Sequence, residues 1–75
     1  MSNAVEPIEA AALELAHGNE AHALELLRDL LDQTDDRALA HEIHELAVTA
    51  HDHSHGLNRI EWQRLAIDAT AHEVG

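Results

Sequence analysis

Histidine is the residue type with the most evident chemical capacity in this sequence: there are eight, and five fall in one stretch. His41 and His44 stand at i, i+3, and His51, His53 and His55 crowd the turn-like segment that follows. Neutral imidazole is a good ligand for zinc, nickel or copper. On a helical wheel His41, His44 and His51 share a flank with Val48, so two or three rings converge if a helix persists to position 51. The spacing admits a metal without specifying one. In HEIHE the histidines are three apart rather than four, which is not the H-E-x-x-H of zinc proteases. Glu14 to His17 fits the E-x-x-H of di-iron bundles, but that chemistry needs two such motifs and two further inward glutamates. The candidate metal ligands are therefore His41, His44, His51, His53 and His55, with zinc or nickel held weakly or adventitiously and no dedicated cofactor expected. The same side chains also read as a solvated polar flank.

Nucleophilic chemistry has little to work with, because the sequence contains no cysteine, lysine or tyrosine. Ser54 lies between His53 and His55, yet neighbours in a turn supply neither an oriented base nor oxyanion donors. No glycine-rich phosphate loop is present. The expectation is a protein that is not an enzyme.

Acidic residues offer a different capacity. Fifteen of them oppose four arginines, for a formal net charge of -11 with histidine neutral. Residues 1–36 carry nine acids and one arginine (-8), and residues 37–75 six acids and three arginines (-3). Such a field repels nucleic acid and acidic membrane, and favours a protein partner with a basic surface. Glu25, Asp29, Asp32 and Asp36 recur at i, i+4, i+7 and i+11, so a continuous helix would separate successive carboxylates by about 5 to 6 Å along its axis. That is the scale of phosphates along a strand. Only Arg28 lies within the stripe, whereas a merely solvated helix face usually mixes both signs. Histidine protonation near pH 6 would offset much of the charge.

The elements that must position these groups are helical throughout. Glu6-Pro7 opens a first helix that runs to about His17, with residues 1–6 as a flexible lead, and Gly18 stops it. Asn19 caps a second helix over 20–32, with Ala23, Leu24, Leu27, Leu30 and Leu31 on one side and the acids on the other. Thr34 caps a third that reaches about Ala50 or Asp52, on a stripe of Leu39, Ile43, Leu46 and Ala47. Asn58 caps a fourth over 59–72. That helix is apolar over most of its circumference: Ile60 and Ile67 read as core, leaving Trp62, Leu65 and Ala69 as an outward face for a partner or a second copy. The expected core is Leu15, Leu24, Leu27, Leu31, Leu39, Ile43, Leu46, Ile60 and Ile67.

Together these give one all-α domain over residues 1–75, a small four-helix bundle of two helical hairpins. Fourteen of the hydrophobic residues are alanines and Trp62 is the only aromatic, so the core is thin. Small scaffolds of this kind are commonly completed by disulfides, metal or self-association, and without cysteine only the last two remain, which favours a homodimer. No apolar run suits a membrane span and no export signal is seen, so a cytoplasmic location is expected.

The stretch LELAHGNEAHALELLRDLLDQT, from Leu13 to Thr34, resembles a tetratricopeptide-type helical hairpin through Gly18-Asn19 at the bend, Ala23-Leu24 after it, and Leu27, Leu30 and Leu31. The resemblance covers under a third of the chain and implies antiparallel helix packing and a protein-binding role. In size and charge the chain also resembles small acidic phage or plasmid antagonists, including anti-CRISPR proteins. That likeness implies a nucleic-acid-mimicking inhibitor acting through Glu25, Asp29, Asp32 and Asp36.

Overall fold

The computed structural model describes residues 5–74, which form four helices in chain order: α1 (Val5–Ala16), α2 (Glu20–Gln33), α3 (Arg37–His53) and α4 (Gly56–Val74). No strand occurs among the described residues. The architecture is the expected all-α four-helix bundle, with α1 folded against α2 and α3 packed most extensively against α4. The molecule is a slab of 31 × 28 × 16 Å.

Local chemistry explains where the helices begin and end. Gly18 has φ of +86°, and the Asn19 N–H bonds the Glu14 carbonyl at 2.9 Å while the Gly18 N–H bonds that of Leu15 at 3.1 Å. This pair of bonds is the Schellman closure, which needs a left-handed residue that glycine supplies without strain. Asn19 does not cap α2 with its side chain as expected; its Nδ2 donates to Glu14 Oε1 at 2.9 Å. The cap of α3 is Asp36 rather than Thr34: Asp36 Oδ1 accepts the Ala38 N–H at 2.9 Å, and Thr34 Oγ1 accepts the Asp36 N–H at 3.0 Å. α1 starts two residues before Pro7, where a missing N–H costs nothing because the first turn has no intrahelical acceptors. Val5 and Glu6 are thus helical rather than part of a flexible lead, and residues 1–4 lie outside the described residues. α4 starts at Gly56 rather than Arg59, leaving a turn of only Ser54 and His55 after α3.

The buried core comprises Leu27, Leu31, Leu39, Ile43, Trp62 and Leu65 with six alanines, Ala11, Ala23, Ala40, Ala47, Ala50 and Ala69. Leu15, Leu24 and Leu46 pack against its edge and remain partly exposed. Two expectations for α4 are reversed. Trp62, Leu65 and Ala69 are completely buried within the chain, so they are not an outward face, whereas Ile60 and Ile67 are 50% and 60% exposed and are not core. The reason is polar as well as apolar. Trp62 brings the largest side chain in the sequence, and its indole N–H finds a carboxylate acceptor, Glu20 Oε2, at 2.8 Å. A buried tryptophan with its N–H satisfied outcompetes two isoleucines that lie on the opposite side of the same helix.

That acceptor joins three elements. Glu20, at the first turn of α2, also receives Ser54 Oγ from the end of α3 and Asn58 Nδ2 from α4, the latter at 3.0 Å. Asn58 is therefore not the cap of α4 but part of this clasp. Ser54 is the one buried polar residue among those described.

Leu27→Ala, at a fully buried site, should lower unfolding stability by about 2 to 5 kcal/mol, whereas Ile67→Ala should change it by no more than about 0.5 kcal/mol when both are measured on the isolated chain at high dilution. Urea denaturation of the two variants measures both, and comparable losses would contradict this assignment of the faces of α4.

Candidate functional site

Three surfaces carry the groups that composition singled out. The first is the outer side of α2, where Glu25, Asp29 and Asp32 are all exposed, opposite the buried Ala23, Leu27 and Leu31. Arg28, the one cation in this run, leans away from them: its Nη1 donates to Asp68 Oδ2 of α4 at 2.8 Å. The three carboxylates therefore face outward without a paired cation among the described residues. Asp36 does not continue the row. α2 ends at Gln33, the Asp36 carboxylate is taken up in capping α3, and Asp36 shares a surface cleft with Arg37 and His72. The break in helix removes the register that i+11 would require.

The second surface is the flank of α3 facing the end of α4. His41 and His44 have ring centroids 6.3 Å apart, and Glu73 lies across both. His41 Nδ1 is 3.0 Å from Glu73 Oε1; because an ionised carboxylate only accepts, that nitrogen carries the proton. The hydrogen bond to Glu73 and its charge, with Glu45 and Glu42 adding theirs, raise the His41 pKa above the ordinary histidine range. His44 Nδ1 is 3.5 Å from Glu73 Oε2, and this buried nitrogen has no hydrogen-bond partner among the described residues. Donor atoms of His41, His44 and Glu45 lie within 4.8 Å of one another. A tetrahedral zinc with bonds near ~2.0 to 2.1 Å needs donor separations of about 3.3 Å, which modest side-chain rotation would reach.

Of the five candidate histidines, His41 and His44 come together, and His44, Val48 and His51 line one surface cleft as their shared flank implies. His51 Nε2 accepts from Arg59 Nε at 3.2 Å, which ties it to α4. His53 and His55 are exposed on either side of Ser54, beyond the helical flank that carries His41 and His44. The residue that sequence spacing missed is Glu73, thirty-two positions from His41 and brought to it only by the packing of α4 on α3.

The third surface is the outer side of α4. Leu57, Ile60, Ile67 and Val74 are 80%, 50%, 60% and 78% exposed. No helix among the described residues is long and apolar enough to cross a membrane.

Two titrations should shape stability against pH. The Glu20 carboxyl is held below its usual range, first by the Ser54 hydrogen bond, with Trp62 and Asn58 adding to it against the opposing cost of burial. A depressed folded pKa gives stability that is present above the unfolded value and is lost as pH falls through the folded one. His41 is raised, so its contribution is complete below about 6.5 and is lost as pH rises through the folded pKa. Thermal midpoints measured across pH should therefore fall on both sides of a mildly acidic plateau. Glu73→Gln should flatten the upper limb alone, and an unchanged upper limb would contradict the His41 assignment. Comparison with family models, curated proteins and solved structures finds no match.

Proposed function

We propose that this chain is a non-enzymatic protein-binding module whose acidic α2 face engages a basic surface on its partner. The observation that carries this reading is the pairing of Arg28 with Asp68, which leaves Glu25, Asp29 and Asp32 outward without an ion-pair partner among the described residues. A groove that holds nucleic acid carries lysines and arginines whose charges are largely uncompensated when it is empty. Carboxylates spaced by about one helical turn can occupy such a groove, because attraction to phosphate and to carboxylate obeys the same electrostatics. In this reading the protein acts as an inhibitor by occupancy and needs no contact that reads bases. Asp36 serves the fold and contributes only its residual field.

Partners recovered from lysate at low salt provide the test. Asp29→Arg/Asp32→Arg should weaken their binding by about tenfold or more, mainly through association rate, and added salt should weaken the wild type in the same direction. Nucleic acid should compete. Binding unaffected by both charge reversal and salt would leave α2 an ordinary solvated face.

The clustering of donor atoms from His41, His44 and Glu45 favours a second reading, a divalent cation held by those three residues. The mixed imidazole and carboxylate set suits zinc or nickel. Zinc at ten times its dissociation constant would stabilise the fold by about 1.4 kcal/mol. The thermal midpoint should rise with zinc in the wild type and in His53→Ala/His55→Ala, but not in His41→Ala/His44→Ala. A shift that survives loss of His41 and His44 would place the metal elsewhere.

A further inference from the structure

The exposed apolar side chains of α4 are not scattered. Leu57, Ile60, Ile67 and Val74, with the exposed Arg64 and Ala71 between them, fall at 57, 60, 64, 67, 71 and 74. Alternating steps of three and four residues define the a and d positions of a helix-packing seam. The seam spans the whole of α4, about 28 Å at 1.5 Å per residue, and lies directly opposite Trp62, Leu65 and Ala69. Large aliphatic side chains exposed along one line of a small domain mark an interaction surface.

We infer that the occupant is a second copy of this chain, docked through α4 in antiparallel orientation about a two-fold axis. Antiparallel pairing sets a positions against d positions of the partner, so Leu57 meets the partner's Val74, Ile60 meets the partner's Ala71, and Arg64 meets the partner's Ile67. Every member of the seam then faces another member, as an isologous interface requires. Charge favours the same occupant. α4 holds two arginines against three acids, so it is nearly neutral in a chain of formal charge -11, and two copies meet here with the least repulsion. On the flank beside Ile67, Glu61 and Asp68 are matched by Arg64 and Arg28, which share one surface cleft. Across the two-fold axis four guanidiniums balance four carboxylates, and the Arg64 stem covers the seam while its head group reaches that flank.

Sedimentation equilibrium at about 1 to 100 μM, which reads micromolar dissociation constants, should show a dimer. Ile60→Asp/Ile67→Asp should return it to monomer with helical circular dichroism unchanged, because both side chains are exposed. Added salt should tighten the dimer by screening the net charge of the two chains. The chain has no cysteine, so introduced thiols report orientation. Leu57→Cys/Val74→Cys should form an intermolecular disulfide on mild oxidation. Leu57→Cys alone should not, since antiparallel copies hold those positions about 25 Å apart, far beyond the ~7 Å limit for a disulfide. A monomer throughout the concentration range, or a dimer that survives the double aspartate variant, would overturn the inference. Efficient cross-linking of Leu57→Cys alone would overturn the antiparallel arrangement.

Discussion

A single carboxylate holds the two hairpins in register. Glu20 sits in the first turn of α2, where the helix dipole already favours an anion, and it collects donors from the end of α3 and from two positions of α4. Hydrogen bonds to an ionised acceptor are stronger than neutral ones, and the cost of losing them is asymmetric, since removing the acceptor leaves buried donors with nothing to replace it. The indole N–H of Trp62 is the most demanding of these donors, because its ring is wholly inside the molecule. The clasp therefore decides which side of α4 turns inward. Everything presented on the outer side of that helix follows from it.

The same packing separates the surface by character. α2 turns Glu25, Asp29 and Asp32 outward and sends Arg28 sideways to Asp68, which adds a tie between α2 and α4 of the modest strength typical of exposed ion pairs. α4 carries aliphatic side chains outward in a nearly neutral setting, and the flank of α3 presents imidazoles to a glutamate near the end of α4. One face is thus suited to long-range electrostatic attraction and another to short-range apolar contact. Binding through the first as proposed would weaken with salt and self-association through the second would strengthen, because screening weakens attraction between unlike surfaces and relieves repulsion between like ones.

Sequence made α2 legible because its apolar and acidic residues segregate cleanly around the wheel, and Leu27 and Leu31 are buried as that pattern implies. The stop at Gly18 was equally readable, since only a left-handed residue closes a helix in that way. α4 was not readable by periodicity. With apolar residues on two opposite sides, the pattern left both orientations open, and size and hydrogen bonding chose between them. A lone tryptophan in a chain with few large side chains is a strong candidate for burial, and its N–H calls for a buried acceptor. The acceptor that meets that need is a carboxylate at a helix start, Glu20 in the first turn of α2. The link from His41 to Glu73 offered no such cue, since the two lie thirty-two positions apart and only the packing of α4 on α3 brings them together.

Half of the buried apolar residues are alanines, drawn from all four helices. A methyl group lets neighbouring backbones come close and freezes no rotamers on folding. It also changes which replacements the interior accepts over long sequence drift. At Leu27, Leu31 or Leu39 a methionine or isoleucine of similar volume can be taken up by local repacking, usually for less than about 1.5 kcal/mol. At Ala23, Ala47 or Ala69 any larger side chain must push two helices apart, and overpacking of that kind costs about 1 to 3 kcal/mol or more. Divergent versions of this bundle would therefore retain their smallest interior residues more faithfully than their largest ones.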